Sequence, residues 1–175
     1  MTTWPIILLT GAYLIELLAA IYFTRATYKR VAGALAGGVA VGAMSMAMIA
    51  FCEAIGWWQV PLASPPFLLF LGLVISCSPI YLVTWRMARR FGRRGLAICI
   101  GIATIIGPPR DYLIAAKYPE WMVFSPGVAP ILADAVAYLG IVVVGHAVMY
   151  FVAGPATADR LARSTGPILQ VERGN

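Results

Sequence analysis

Acidic side chains inside long apolar segments are the residues of this sequence that are best suited to chemistry. Glu16 lies near the middle of the first segment, Glu53 at the end of the second, and Asp111 and Asp134 in the last two. A charged group at the centre of a bilayer costs at least about 2.5–3.5 kcal/mol on insertion scales. We therefore expect these carboxyls to face a bundle interior or a wet cavity and to serve in binding or proton transfer.

Most of these groups are predicted to lie at one depth, below the outer surface of a membrane. The catalytic candidates at this depth are Glu53, Asp111 and Asp134. The candidates for substrate binding are charged and aromatic residues near that level or on adjoining faces, namely Glu16, Trp57, Trp58, Arg110, Tyr112, Trp121 and Tyr138. A purely structural alternative is that Arg110 neutralises Asp111 or Glu53 as a buried pair.

Carboxylic acids beside aromatic rings favour acid–base chemistry on a lipid-soluble substrate, such as an isoprenoid or a sterol-like molecule. A carboxylic acid can protonate an alkene, and Trp or Tyr faces stabilise a carbocation by cation–π attraction. In this hypothesis Glu53 or Asp111 is the acid, Asp134 is the base or counter-charge, and Trp57 and Trp58 form the wall. The reaction is isomerisation, hydration or cyclisation. Architecture and residue types are similar in a general way to five-helix sterol isomerases and membrane terpene cyclases, without a shared motif.

Two other functions use the same features. A transporter or channel component would bind a proton, a cation or an amine at the buried acids, although transporters usually contain internal repeats and none is visible in this sequence. A non-catalytic membrane subunit would pack against partners through faces of small residues. Gly38, Gly42 and Ser45 form such a face, and it continues toward Glu53, which we expect to point into the bundle. The alanines around Glu16 likewise predict packing against another helix.

Other classes of site are disfavoured by what the sequence lacks. There is no GxxxxGK[ST] phosphate loop, no HExxH and no CxxC motif. One histidine, His146, cannot build a multi-histidine metal centre, and Cys52, Cys77 and Cys99 are too scattered for a zinc site or a disulfide framework. We expect no metal and no cofactor. The net charge of +6 does not indicate nucleic acid, because most of the basic residues occupy short gaps between apolar segments.

Positioning these residues requires a membrane-spanning bundle. Of the 175 residues, 61% are hydrophobic and 11% are charged, whereas soluble domains carry about 25% charged residues. Most apolar segments are near the length of about 20 residues that crosses a bilayer; they cover residues 4–24, 31–52, 66–85, 95–107 or beyond, and 128–153. The sequence predicts an all-α polytopic bundle of about five transmembrane helices within residues 1–154, and a polar, partly disordered tail over 155–175.

The fourth segment leaves two alternatives open. Residues 95–109 give only about 22 Å of helix. Either the helix continues to about residue 116, kinked by two prolines, or it stops at Gly107 and the next residues form a re-entrant loop. Both alternatives place Arg110 and Asp111 near the outer boundary of the membrane.

The distribution of Lys and Arg predicts the orientation. Eleven of the 13 basic residues fall in the gap after the first segment, the gap after the third, and the tail, and the alternate gaps hold only Arg110 and Lys117. The positive-inside rule then places the N-terminus outside and the tail in the cytoplasm. We expect a multi-pass protein of a bacterial inner membrane, in contact with membrane lipid and a lipid-soluble small molecule. Homo-oligomerisation is left open.

Overall fold

The computed structural model describes residues 4–61 and 65–156, and these form a helical protein with one very small sheet. Its elements in chain order are α1 Trp4–Thr24, α2 Tyr28–Ala54, β1 Trp58–Gln59, α3 Pro66–Lys117, β2 Val123–Phe124 and α4 Val128–Ala153. All four helices are long and apolar enough to cross a membrane, which suggests an integral membrane protein. The all-α prediction is confirmed. Most of the predicted tail lies outside the described residues.

The helix boundaries largely follow the predicted segments. α1 and α4 have the bounds of the first and last segments, and α2 extends the second by a few residues at each end. α3 covers the third and fourth segments as one element. Of the two alternatives for the fourth segment, the continuing helix is observed, since α3 runs through Pro108 and Pro109 to Lys117. The two prolines do not interrupt the helix, because the one residue with non-helical torsions inside α3 is Gly92.

α3 turns back on itself at Gly92. The torsions of this residue are φ 64° and ψ −151°, in a region of backbone space that favours glycine. A Cβ placed at Gly95 would lie 2.7 Å from the carbonyl oxygen of Met87, although a straight helix would separate such positions by about 12 Å. α3 therefore consists of two segments, 66–91 and 93–117, and the predicted gap between them shrinks to one non-helical residue.

Contacts with α4 place the two segments of α3 side by side. Tyr81 in the first segment lies against Gly145 of α4, and Gly107 in the second lies against Tyr138 of the same helix. A straight helix would hold residues 81 and 107 about 39 Å apart, whereas their partners are about 10 Å apart along α4. The second segment consequently returns along the first, and its last turns lie beside the beginning of α4.

α2 packs against both α3 and α4 through glycines. A Cβ at Gly37 would lie 2.6 Å from the carbonyl oxygen of Gly145, and a Cβ at Gly38 would lie 2.6 Å from that of Val74. Gly42 also faces the Val74 side chain. Helix backbones approach this closely only where no side chain intervenes. The predicted small-residue face at Gly38 and Gly42 is therefore a helix-packing face.

Arg30 is buried at one end of the bundle, with 1% of its surface exposed. Its Nη1 donates to the carbonyl oxygen of Gly154 at 2.6 Å, and its Nη2 donates to that of Pro155 at 2.8 Å. The guanidinium also lies over the Trp85 ring, 5.3 Å from its centroid. A helix C-terminus leaves carbonyls unpaired and favours a cation. Arg30 thus links α2 to the end of α4. The sequence places this residue in the gap between the first two segments and does not predict this role.

β1 and β2 join the two loops at the opposite end of the bundle, which we call the strand end. The strands are antiparallel, with Trp58 opposite Phe124. The N–H and the hydroxyl of Ser125 both donate to the carbonyl oxygen of Trp57, at 2.9 and 3.0 Å. These bonds hold the loop after α2 against the loop after α3, so that residues from three helices meet beneath them.

The substitution Gly145→Ala should destabilise the bundle, because a Cβ there overlaps the Tyr81 ring. Overpacking of this kind typically costs about 1–3 kcal/mol. Thermal unfolding in detergent should show a lower midpoint than that of the unmodified protein. Gly101→Ala is the matched control, since nothing lies within 4 Å of a Cβ at that helical position. Equal destabilisation by both variants would contradict the packing described.

Candidate functional site

A polar network links α1, α3 and α4 near the strand end. The Tyr138 hydroxyl donates to Asp111 Oδ2 at 2.9 Å and accepts from Arg110 Nη1 at 3.3 Å. Arg110 Nη2 donates to the Tyr13 hydroxyl at 3.2 Å, and Arg110 Nη1 lies 3.7 Å from Asp111 Oδ1. Arg110 is half exposed and Asp111 is mostly covered. Arg110 thus pairs with Asp111, as the structural alternative expects, but the pair is not buried at Arg110 and is one part of a larger network.

Gly107 allows Tyr138 to reach this network. A Cβ at residue 107 would overlap the Tyr138 ring, so the ring lies directly on the α3 backbone one turn before Asp111. Because α3 remains helical through its two prolines, Arg110 and Asp111 project from a helix and not from a loop. The hairpin in α3, together with a glycine at the contact, therefore determines where the Asp111 carboxyl meets α4.

Aromatic rings cover the network at the strand end. The Tyr112 ring stacks on Phe124 with centroids 4.1 Å apart, and the Trp58 ring meets Phe124 edge-on at 5.7 Å. Trp58 is buried together with Cys52 and Ala133, in a small apolar cluster between α2 and α4. The predicted grouping of Trp58 and Tyr112 at one level is therefore observed, with Phe124 as the ring that connects them.

Asp134 is a buried carboxyl next to these rings, with 6% of its surface exposed. Its Oδ2 has no hydrogen-bond partner among the described residues, and the same is true of Tyr112 Oη and Trp58 Nε1. Asp134 lies within electrostatic range of both Asp111 and Tyr112. Buried polar atoms without partners are uncommon in proteins. These three atoms are therefore buried polar groups that no described residue satisfies.

An apolar groove lies between α2 and α4 at the same end of the bundle. Its volume is about 360 Å³, and its lining residues are Met48, Phe51, Trp57, Ala129, Leu132, Ala133 and Val136. The Trp57 ring meets Phe51 edge-on at 6.5 Å and forms one side of the groove. Ala133 precedes Asp134 in the chain, but Asp134 does not line the groove, so the groove and the buried carboxyl belong to neighbouring faces of α4. Such a groove suits a hydrocarbon chain better than a polar solute.

Glu53 does not join the site, and the prediction that it points into the bundle is wrong. The residue is exposed, and its Oε1 accepts a hydrogen bond from the Val60 N–H at 3.0 Å. Glu53 lies in the last turn of α2, next to the loop that follows, and its side chain bonds to that loop. Its carboxyl stabilises that loop.

Glu16 and Trp121 also lie apart from the network. Glu16 is exposed on α1, so the predicted packing of this residue against another helix is not observed within the chain. Trp121 stacks on Tyr118 in the loop after α3, with centroids 4.8 Å apart. Tyr13, which was not among the candidate residues, supplies the α1 contact instead. The sequence could have indicated Tyr13 as a member of the network. Its hydroxyl lies inside an apolar helix, and a buried Tyr usually has a hydrogen-bond partner.

His146 has a structural partner away from this site. Its Nδ1 lies 2.9 Å from the Thr84 hydroxyl, which donates its own hydrogen to the Tyr81 carbonyl at 3.0 Å. The hydroxyl therefore accepts from His146, which places the ring hydrogen on Nδ1. No group of three His, Cys, Asp or Glu side chains within residues 4–61 and 65–156 is arranged to hold a metal ion.

A double-mutant cycle tests the contact between Tyr138 and Asp111. Hydrogen bonds between membrane helices contribute about 0.6 kcal/mol on average and up to about 1.7 kcal/mol. We expect Tyr138→Phe and Asp111→Asn each to lower the unfolding free energy, with a coupling energy in that range, measured by denaturation in mixed micelles. Tyr150→Phe, at an exposed position of α4, should change stability little. Strictly additive effects of the two substitutions would argue against the contact.

No protein-family model, no curated protein and no solved structure matches this chain. What the site can do must therefore be derived from its own residues. These are a buried carboxyl with an unpartnered oxygen at Asp134, a second carboxyl at Asp111 that is bonded to Tyr138 and Arg110, and an adjacent apolar groove.

Proposed function

We propose that this protein is a small membrane-embedded enzyme that uses buried carboxylic acids for acid–base chemistry on a lipid-soluble, isoprenoid- or sterol-like substrate. The observation that carries the proposal is the position of Asp134. Its carboxyl is buried, one of its oxygens has no partner among the described residues, and its neighbour Ala133 lines an apolar groove. A hydrocarbon substrate in this groove would lie on the face of α4 next to the one that carries this acid, whose Oδ2 has no partner among the described residues.

The proposed membrane arrangement has five crossings, with the N-terminus outside and the C-terminus in the cytoplasm. The turn at Gly92 supports this count, because it divides α3 into two segments, each long enough to cross a bilayer. Arg89, Arg90, Arg93 and Arg94 flank the turn, and the positive-inside rule assigns such a cluster to the cytoplasm. The strand end would then lie in the outer leaflet, in a bacterial inner membrane.

The contacts support a division of roles between the two carboxyls that differs from the sequence hypothesis. Asp134 is the better candidate for the acid, since its Oδ2 is unpartnered, whereas both oxygens of Asp111 are close to Tyr138 or Arg110. Asp134 would transfer its proton to one carbon of the alkene, leaving a carbocation on the other. The Asp111 carboxylate is the nearby counter-charge. Trp57, on the side of the groove, supplies a π face for the cation.

The carbocation would then resolve in one of three redox-neutral ways. Loss of a proton from a neighbouring carbon back to the Asp134 carboxylate gives an isomer. Attack by a second double bond before that proton loss gives a ring. Addition of water followed by loss of its proton gives an alcohol. Each course restores the protonated acid and needs no oxidant, reductant or metal ion.

Exchange of hydrogen with heavy water tests this function without a known substrate. Proteoliposomes holding the full chain would be incubated in heavy water with acyclic diterpene, triterpene and tetraterpene alkenes, and the products analysed by mass spectrometry. We expect deuterium to enter carbon positions of at least one alkene. Asp134→Asn should reduce incorporation by about 10²–10⁴-fold, the usual contribution of a general acid. Glu53→Gln is the control, since this residue is exposed and its carboxyl accepts a hydrogen bond from the loop after α2.

Two results would contradict the proposal. One is the absence of deuterium in every alkene despite correctly folded protein. The other is full incorporation by the Asp134→Asn variant. Proton or cation uptake by the same proteoliposomes that is lost in Asp134→Asn would assign the buried carboxyl to transport instead.

A further inference from the structure

α1 lies at the edge of the bundle. It packs against α3 and has no comparable contact with α2 or α4. Of the residues of α1 that could span a membrane, 11% are buried within the chain, compared with 28–33% for the other three helices. The side of α1 that is covered carries Tyr13, Leu17 and Thr24. The remaining surface, including Ile15 and Leu18, is exposed.

Glu16 lies on the uncovered side of α1. It is exposed and makes no hydrogen bond or ion pair with any described residue. Its Cα is about 18 Å along the axis from Trp4 and about 12 Å from Thr24, so it is far from both helix ends. Ionisable residues inside membrane helices almost always face protein or water, because contact with lipid is costly. A lipid-facing Glu16 in the single chain therefore indicates that another protein surface covers this position.

A second copy of the chain is the occupant that this face fits. The intramembrane cation closest to α1 is Arg110, and it is engaged with Tyr13, Tyr138 and Asp111. A carboxylic acid that holds its proton has one donor and one acceptor, so it is complementary to an identical group. Two such groups related by a two-fold axis form a pair of reciprocal hydrogen bonds. Ala12 and Ala19, each about one turn from Glu16, permit close approach of the two helix backbones.

We propose that the protein forms a homodimer through the Ala12–Glu16–Ala19 face of α1, with the two Glu16 carboxyls paired across the symmetry axis. None of the residues of this interface lines the groove between α2 and α4. It also lies one helical turn from Tyr13, whose hydroxyl is the α1 contact of Arg110. The proposal is independent of the reaction that the site catalyses.

Energy transfer between labelled chains in liposomes tests the dimer. Donor and acceptor fluorescent proteins would be fused to the C-terminus of the full chain and the protein-to-lipid ratio varied. We expect energy transfer that rises and saturates with this ratio. Glu16→Gln should preserve it, because an amide also has a donor and an acceptor, whereas Glu16→Leu should weaken association about tenfold. Ile105→Ala, at an exposed position of α3, is the control and should have no effect.

Cross-linking provides a second measurement that does not depend on the Glu16 variants. In a chain whose cysteines at 52, 77 and 99 are replaced by alanine, Ala12→Cys should form a disulfide-linked dimer on mild oxidation. Ile105→Cys should not. The proposal is wrong if the unmodified protein is monomeric at every ratio, if Glu16→Leu associates as tightly as the unmodified protein, or if both cysteines cross-link equally.

Discussion

Close contact between helix backbones is the interaction on which this structure depends. Between apolar helices in lipid there is no hydrophobic driving force, so van der Waals contact and hydrogen bonds determine how they pack. Gly37 and Gly38 bring α2 against α4 and α3, and Gly107 allows the Tyr138 ring to lie on the α3 backbone. At that separation the Tyr138 hydroxyl reaches Asp111. A larger residue at any of these contacts would move a helix and change the polar network with it.

The polar groups in the chain divide into two kinds. Arg30, for example, is almost completely buried, yet its guanidinium meets two carbonyl oxygens at the end of α4 and an aromatic ring. The Asp134 carboxyl, by contrast, leaves an oxygen without a partner in the described part of the chain. A buried group of the second kind lowers stability unless something else binds it. The contrast separates a buried group that holds the fold from one that the described residues leave unsatisfied.

The sequence predicts the elements of the fold better than the directions of single side chains. Uninterrupted apolar segments determine α1 and α4, and helix depth predicts that Asp111 lies at the level of Asp134. The turn at Gly92 is harder to predict. Helix-forming residues continue on both sides of it, and the cluster of basic residues suggests a loop of ordinary length between the third and fourth segments. Glu53 was assigned the wrong direction, because a helical face was extrapolated to the last turn of α2, where the side chain instead bonds to the Val60 N–H in the following loop. The pairing of β1 with β2 depends on contacts between distant residues, which local patterns do not record.

A turn of one residue has a mechanical consequence. A single non-helical residue, Gly92, separates the two segments of α3. The segment 66–91 contacts α4 at Gly145, and the segment 93–117 contacts it at Tyr138. They cannot spread apart at the turn without losing these contacts. Any rearrangement of the bundle would therefore move these two segments together, as one unit. The hairpin then acts as a fixed frame for the residues that it carries, Arg110 and Asp111 among them.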